Sequence, residues 1–241
     1  MNLVIDIGNS TGKVAVFDKS DLLESCLFNN EITANDLQEI FGKHPKINRA
    51  ILCSVTNYSD EISNFLDEKT SFIILSEKTS IPIKIRYETP QTLGKDRLAA
   101  AVGSNHLFPS QNLLVIDAGT TITYEFINDK NEYAGGGISP GIDMRLKSLN
   151  HFTGKLPLIQ RKDSSQLIGL TTEESILSGV INGAVAEVKG IIHQYESKFE
   201  NLQVVLTGGD TKVFEKALES GIFAAPHLVL TGLNIILNYN D

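Results

Sequence analysis

Apolar and polar positions alternate along the chain in short blocks that predict a succession of strands and helices. Segment 2–17 holds two apolar runs separated by a polar stretch, which predicts a strand, a polar turn and a second strand. Segment 114–127 has the same order of blocks. Elsewhere the periodicity predicts a helix at 35–41, a buried strand at 49–54, a long helix at 172–194, a buried strand at 202–206 and a helix at 212–219.

The two strand-turn-strand segments are copies of one another. A shift of 111 positions superposes Leu3, Val4, Ile5, Asp6 and Gly8 on the identical residues Leu114, Val115, Ile116, Asp117 and Gly119. A repeated order of strands and helices predicts an α/β fold built from two similar domains that face a cleft. We place the boundary near 110–112, which gives an N-terminal domain at 1–110 and a C-terminal domain at 111–241.

Composition and charge narrow the classes of function. With 41% hydrophobic and 21% charged residues, the chain has the composition of a globular protein. Its net charge of −8 comes with no basic cluster, so we expect no nucleic-acid partner. No apolar stretch approaches about 18 residues and no signal-peptide pattern occurs at the start, so we expect no membrane association and a cytoplasmic location. Cys26 and Cys53 lack metal-ligand spacing and are expected to be reduced and buried.

The turn of the first hairpin is rich in groups that bind phosphate. Backbone amides near Gly8 and the ammonium of Lys13 could cradle a phosphate, while Asp6 could hold a metal ion or its waters. A polar β-turn with an exposed lysine remains an alternative for this hairpin alone. The second hairpin repeats the acid and glycine, and a pair of glycines at 208–209 follows a buried strand. Two such hairpins could contact one nucleotide from opposite walls of a cleft.

These three loops resemble the nucleotide-binding pattern of the acetate and sugar kinase, Hsp70 and actin superfamily, whose domains are ribonuclease-H-like. Four further segments narrow the resemblance to the type III pantothenate kinase family: GKDR at 94–97, GGGISPG at 135–141, GLTT at 169–172 and TGL at 231–233. This resemblance implies an ATP-dependent kinase that converts pantothenate to 4'-phosphopantothenate, the first step of coenzyme A biosynthesis. It also implies a homodimer.

The resemblance assigns roles to individual residues. Asp96 matches the catalytic proton acceptor, Asp117 matches the ligand of a monovalent cation, K⁺ or NH₄⁺, and Asp6 could hold the Mg²⁺ that accompanies ATP. The positions that match ATP contacts are Asp6, Ile7, Gly8, Asn9, Ser10, Thr11, Gly12, Lys13 and Thr120. The positions that match pantothenate contacts are Tyr87, Gly94, Lys95, Asp96, Arg97 and Thr172.

Three alternatives accompany this interpretation. The Asp96 and Arg97 pair could be a surface ion pair at the start of a helix. The chain could be a non-catalytic transcriptional regulator resembling the Bvg accessory factor, although such a protein would be expected to lose the acidic groups that are present here. It could also be a related kinase for another small hydroxylated substrate, because the ATP loops do not choose the acceptor.

Overall fold

The computed structural model describes residues 1–29, 31–218 and 221–241. Its strands are β1 (Asn2–Ile7), β2 (Gly12–Asp18), β3 (Asp21–Phe28), β4 (Arg49–Ser54), β5 (Ser71–Ile74), β6 (Lys84–Ile85), β7 (Leu113–Ala118), β8 (Thr121–Ile127), β9 (Glu132–Pro140), β10 (Gln203–Thr207) and β11 (Ile222–Ala224). Its α-helices are α1 (Ala34–Lys43), α2 (Asp60–Lys69), α3 (Lys95–Leu107), α4 (Ile142–Phe152), α5 (Thr172–Glu196), α6 (Thr211–Ala217) and α7 (Leu228–Tyr239). A 3₁₀ turn, Pro90–Thr92, precedes α3.

The chain divides into two compact units. The first unit comprises Met1–Pro109, Asn131–Tyr133 and His227–Asp241. The second unit comprises Ser110–Lys130 and Ala134–Pro226. The last helix, α7, is therefore part of the first unit although it ends the chain.

The first unit is built on a mixed five-stranded sheet in the order β3-β2-β1-β4-β5. The first three strands are antiparallel neighbours, whereas β4 runs parallel to β1 and β5 parallel to β4. Alternate residues of β1 and β2 pack with α1 and α2 in one apolar core. The short strand β6 pairs in parallel with Glu132 and Tyr133 of β9.

The second unit repeats this arrangement of strands. Its strands follow the order β9-β8-β7-β10-β11, with β7 and β8 antiparallel and β10 and β11 added in parallel. Both units thus place an opening hairpin at the centre of a sheet, followed by parallel strands. The predicted α/β fold with a repeated topology is confirmed.

Helix α7 packs closely against α3 and also contacts β1, β2 and β4. The close approach depends on Gly232, because a Cβ atom at this position would overlap the carbonyl group of Ala99 on α3. Asn234 of α7 adds two buried polar contacts. It accepts a hydrogen bond from Asn2 at 2.8 Å and donates one to the Lys19 carbonyl at 2.7 Å. These contacts fasten the end of the chain to the first sheet.

Helix α5 spans the core of the second unit. In the described residues it is the one helix that is long and apolar enough to cross a membrane. Its apolar side chains pack instead against β7, β8 and β10, and the buried ones are Ile176, Leu177, Val180, Ile181, Ala184, Val188 and Ile192. It is a core helix.

Most of the predicted elements are confirmed, and β4 has the predicted bounds. The helix predicted at 212–219 ends at Ala217, and Glu219 lies outside the described residues. Cys53 is buried, as expected, but the expectation for Cys26 is wrong. Cys26 is partly exposed because it lies on the edge strand β3.

Candidate functional site

The first hairpin turns tightly directly after Asp6. The amide of Gly8 donates a hydrogen bond to the carbonyl of Thr11 at 3.0 Å, which leaves Asn9 and Ser10 exposed at the tip. Asp6 is 8% exposed, and its Cα lies opposite that of Lys13 on β2. The hairpin therefore carries one carboxylate and one ammonium on neighbouring strands, beside a short loop of backbone amides.

The GKDR segment forms the start of α3. Gly94 is the N-cap residue, and Asp96 lies in the first turn. Its Oδ1 accepts a hydrogen bond from the amide of Arg97 at 2.8 Å, which fixes the orientation of the carboxylate. Arg97 is only 8% exposed, so the alternative of a surface ion pair is wrong.

The buried thiol of Cys53 links the first hairpin to the start of α3. Cys53 lies beside Asp6 in the parallel pairing of β1 and β4. Burial raises the pKa of the Cys53 thiol well above its usual value, and the negative charges of Asp6 and Asp96 raise it further. Because both carboxylates raise the pKa of the same thiol, Asp6 and Asp96 lie in the same part of the first unit.

Tyr87 is held beside the short strand β6. Its ring packs on that of fully buried Tyr133, with the ring centroids 6.0 Å apart. The preceding residue, Arg86, forms an ion pair with Glu132 at 2.8 Å, and its amide donates to the Tyr133 carbonyl at 2.8 Å. Tyr87 is thus held against the start of β9, with its side chain half-buried.

In the second unit, Asp117 occupies the position in β7 that Asp6 occupies in β1. Its neighbour on the parallel strand β10 is Thr207. Gly208 follows with φ of +97°, and a Cβ atom there would lie 2.5 Å from Asp117 Oδ1. The amide of Asp210 donates to the Ala118 carbonyl at 2.9 Å, which holds the loop at 207–210 against the end of β7.

Thr120 lies in the tight turn between β7 and β8. The amide of Gly119 donates to the carbonyl of Thr121 at 2.9 Å, so this turn is one residue tighter than the turn of the first hairpin. The Thr120 carbonyl accepts a hydrogen bond at 3.1 Å from the amide of Gly141, the N-cap residue of α4. Asp117, Thr120 and the loop at 207–210 are thus close together within the second unit.

Thr172 is the first residue of α5 and is exposed. The helix start is capped by Thr171, whose hydroxyl accepts from the amide of Glu174 at 3.2 Å. The Glu174 carboxylate accepts in turn from the amide of Leu170 at 2.8 Å. The GLTT segment therefore forms a well-capped helix start that presents Thr172 to solvent.

The candidate metal ligands, Asp6 and Asp117, lie on separate strands. In the described residues, no three His, Cys, Asp or Glu side chains lie close enough to hold an ion together. Asp6 and Asp117 each supply a single carboxylate at the end of a central strand. A single carboxylate fits Mg²⁺, which is usually held by one or two carboxylates and the phosphates of its nucleotide.

The structure contains two polar clusters that the sequence did not reveal. Arg161 contacts Asp210 at 2.6 Å and Asp143 at 3.6 Å. Burial raises the pKa of Asp210, whereas Arg161 opposes that shift. In the second cluster, Arg145 of α4 meets Glu187 of α5 at 2.5 Å. Both clusters join residues more than 40 positions apart, so local spacing gives no signal for them.

Solved structures of other proteins have a similar fold. A Campylobacter jejuni protein described as a Baf family transcriptional activator has a TM-score of 0.63 at 21% identity, covering 99% of this chain and 98% of its own. An activator of 2-hydroxyisocaproyl-CoA dehydratase from Clostridium difficile, solved with bound ADPNP, has a TM-score of 0.56 at 15% identity, covering 99% of this chain and 93% of its own. At these identities the likeness shows the fold alone. It shows that the chain shares the α/β fold of these proteins.

Sequence comparison identifies the family of this chain. The sequence model of type III pantothenate kinase matches residues 2–194. Two proteins named type III pantothenate kinase match the whole chain and 99% of their own length. The protein of Christiangramia forsetii is 45% identical over 240 residues, and that of Phocaeicola vulgatus is 46% identical over 242 residues. The chain belongs to the type III pantothenate kinase family, whose members use ATP to phosphorylate pantothenate in coenzyme A biosynthesis.

Proposed function

We propose that Asp96 accepts the proton of the pantothenate hydroxyl as that oxygen attacks the γ-phosphorus of ATP. The new bond joins the hydroxyl oxygen to phosphorus, the bond to the β,γ-bridging oxygen breaks, and ADP leaves. Phosphoryl transfer depends mainly on positioning and on stabilisation of charge, with a carboxylate orienting the nucleophile. The observation that carries this role is the fixed carboxylate of Asp96, tied to the Arg97 amide at the start of α3.

We propose that ATP binds through the turn at 6–13 and through Thr120. The short turn closed by Gly8 and Thr11 supports this role because its tip, Asn9 and Ser10, is exposed and Lys13 lies on the strand that follows. Such amides and a nearby cation stabilise phosphate oxygens. The amide of Gly119 is used within its own turn, so we assign the contact in the second loop to Thr120.

Two cations accompany ATP in this proposal. Asp6 contributes a carboxylate to Mg²⁺, whose remaining ligands are phosphate oxygens and waters. Asp117 binds K⁺ or NH₄⁺ together with neighbouring oxygens. The close approach of Gly208 to Asp117 supports this second site, because backbone carbonyls can reach the ion only where no side chain intervenes. Both ions offset the charge of the triphosphate.

Pantothenate binds in this proposal through Tyr87, the segment 94–97 and Thr172. Arg97 is the natural partner for the pantothenate carboxylate, because its planar guanidinium can donate two parallel hydrogen bonds. Burial of Arg97 supports the assignment, since a buried guanidinium is held in place before the ligand arrives. Tyr87 supplies an aromatic wall that is fixed by Tyr133.

We propose that the enzyme is a cytoplasmic homodimer. The second unit exposes a group of apolar side chains on the segment between α4 and α5, with Leu158, Leu167, Ile168 and Leu170 between 60% and 87% exposed. Several exposed apolar side chains within one short segment suit an interaction surface. Sedimentation of the wild type and of Leu170→Glu tests this, since the substitution should shift a dimer toward monomer. A wild-type monomer at all concentrations would contradict it.

The repeated strand order supports the further proposal that the chain consists of two ribonuclease-H-like domains, 1–110 and 111–241, joined by duplication. In this proposal α7 belongs to the second domain by sequence, although it is part of the first compact unit in space. A related solved structure with the two halves on separate chains would support this division.

The experiment that tests the catalytic proposal is ADP release with ATP and Mg²⁺, with and without pantothenate, in K⁺ and in Na⁺. Wild type should release ADP only with pantothenate and better in K⁺. Asp96→Asn should lower turnover by about 10²–10⁴-fold, the usual contribution of a general base. Asp60→Asn is the matched control, because Asp60 also lies in the first turn of a helix and is exposed. Full turnover by Asp96→Asn would refute the assigned role.

A further inference from the structure

The start of α4 is held by a cluster of four side chains within the second unit. Arg145 donates from Nη2 to Ser139 Oγ at 3.0 Å and to Glu187 Oε2 at 2.5 Å. The other oxygen of Glu187 accepts from the Tyr124 hydroxyl at 2.9 Å. Tyr124 lies on β8, Ser139 on β9, Arg145 on α4 and Glu187 on α5, so the cluster joins four elements.

The protonation states of this cluster are set by its contacts. Burial alone would raise the pKa of Glu187, but hydrogen bonds from Arg145, Ser139 and Tyr124 lower it overall. Burial, together with the Glu187 charge, raises the pKa of the Tyr124 hydroxyl. Glu187 is therefore ionised and Tyr124 neutral at physiological pH. The ion pair of Arg145 with Glu187 and the hydrogen bond from Tyr124 to Glu187 are therefore both present at this pH.

Arg145 also holds the backbone where β9 ends. Its Nε donates to the Pro140 carbonyl at 2.8 Å. The next residue, Gly141, donates its amide to the Thr120 carbonyl at 3.1 Å and lies so close to the loop that a Cβ atom would overlap the carbonyls of Gly119 and Thr120. A shift of the Pro140–Gly141 peptide would therefore move the turn at 119–120.

We infer that Arg145, held in place by Glu187, is a positioning residue for the ATP-binding turn at 119–120. The inference rests on the proposed role of Thr120 as an ATP contact. Arginine suits this task because its planar guanidinium can donate hydrogen bonds to a carboxylate, a hydroxyl and a carbonyl at the same time. Lysine retains the positive charge, but its single ammonium cannot donate hydrogen bonds to all three groups in this geometry. Neither Arg145 nor Glu187 touches substrate in this inference; both act through Pro140 and Gly141.

The test compares Arg145→Lys and Glu187→Gln with wild type in steady-state kinetics. We expect the KM for ATP to rise about 5–10-fold, while the KM for pantothenate stays within about twofold, since a misplaced turn weakens only the contacts that it makes. Calorimetric titration with a non-hydrolysable ATP analogue should show the same loss of affinity. The double variant should be no worse than about the poorer single variant, because the two residues act together.

Arg49 provides a matched control for a purely structural arginine. Its side chain is 19% exposed and that of Arg145 is 20% exposed. Arg49 likewise pairs with a carboxylate, that of Asp241, and donates to a backbone carbonyl, that of Leu237. Arg49→Lys should lower the unfolding temperature without changing the KM for ATP. If Arg145→Lys and Glu187→Gln only lower the unfolding temperature in the same way, the inference is wrong.

Thr120→Val separates this inference from the proposed ATP site. If Thr120→Val raises the KM for ATP and the Arg145 and Glu187 variants do not, the ATP site stands and the positioning role is refuted. If Thr120→Val leaves ATP binding unchanged, the proposed contact is refuted and the positioning role with it. Tyr124→Phe, which removes only the hydrogen bond to Glu187, should give a smaller change in the same direction.

Discussion

Substitution of Gly208 by alanine should damage both the fold of the second unit and its proposed cation site. Gly208 has φ of +97°, and placing an alanine in a left-handed conformation costs about 1–2 kcal/mol. Its Cβ would also overlap the Ala118 carbonyl, and overpacking of this kind costs about 1–3 kcal/mol. We therefore expect the free energy of unfolding to fall by about 2–5 kcal/mol, which for a chain of this length lowers the unfolding temperature by about 5–15 °C.

The same Cβ would lie 2.5 Å from Asp117 Oδ1, so the carboxylate must move by roughly 0.9 Å to restore an ordinary contact. If Asp117 binds a monovalent cation, this shift should raise the K⁺ concentration for half-maximal activity about tenfold, which corresponds to about 1.4 kcal/mol. The assay is ADP release against KCl concentration at constant ionic strength, at a temperature where the variant is folded.

Gly209→Ala is the matched control for Gly208→Ala. The neighbouring glycine does not have a left-handed backbone, and a Cβ atom there would meet nothing within 4 Å. Gly209→Ala should therefore keep both the stability and the K⁺ dependence of wild type. Equal K⁺ dependence in the two variants would refute the role of Asp117, and equal unfolding temperatures would refute the steric reasoning.

Two further predictions concern packing and pH. Gly232→Ala should lower the free energy of unfolding by about 1–3 kcal/mol, because its Cβ would overlap α3. Gly190→Ala, whose Cβ would lie in open space on α5, should raise the free energy of unfolding by about 0.5–1 kcal/mol, because alanine favours a helix more than glycine does. Chemical denaturation measures both changes. The pKa of Glu187 is lower in the folded protein than in the unfolded chain, so ionised Glu187 stabilises the fold by about 1 kcal/mol. This contribution to the free energy of unfolding is fully present above the ordinary glutamate pKa and is lost as the pH falls through the lower pKa of the folded state. The stability difference between wild type and Glu187→Gln should thus be constant above about pH 5 and shrink below about pH 4.5, and a constant difference down to pH 3 would contradict the assignment.

The repeated hairpins were predictable because short-range patterns determine them. An apolar run followed by an acid and a glycine specifies a buried strand and its turn, and both copies form the central pair of a sheet. The sequence could therefore place Asp6 and Asp117 near the ends of the central strands β1 and β7. Helix α3, in contrast, was not among the predicted helices, and a helix start at Asp96 entered only with the alternative of a surface ion pair.

The supporting contacts were not predictable because they join distant segments. Arg145 and Glu187 lie on different helices, 42 positions apart, and neither shows a motif or a periodic signal. Arg161 lies outside any helix or strand and reaches Asp210 across 49 positions. Burial of Arg97 was also missed, because a charged residue in a polar segment is exposed more often than buried. These features emerge only from the packing of whole elements.

The two acidic positions occupy equivalent places in the repeated sheets, but their neighbours on the adjacent strands differ. Asp6 lies between Lys13 and Cys53. The Lys13 ammonium competes with a metal ion for the Asp6 carboxylate, unless a phosphate is present to pair with the ammonium. Asp117 lies between Thr123 and Thr207, where hydroxyl and carbonyl oxygens replace the ammonium and the thiol. Oxygen ligands without a neighbouring cation favour binding of a free metal ion. We therefore expect the Asp6 site to take its metal only as a complex with ATP, whereas the Asp117 site can be filled by K⁺ before the nucleotide arrives.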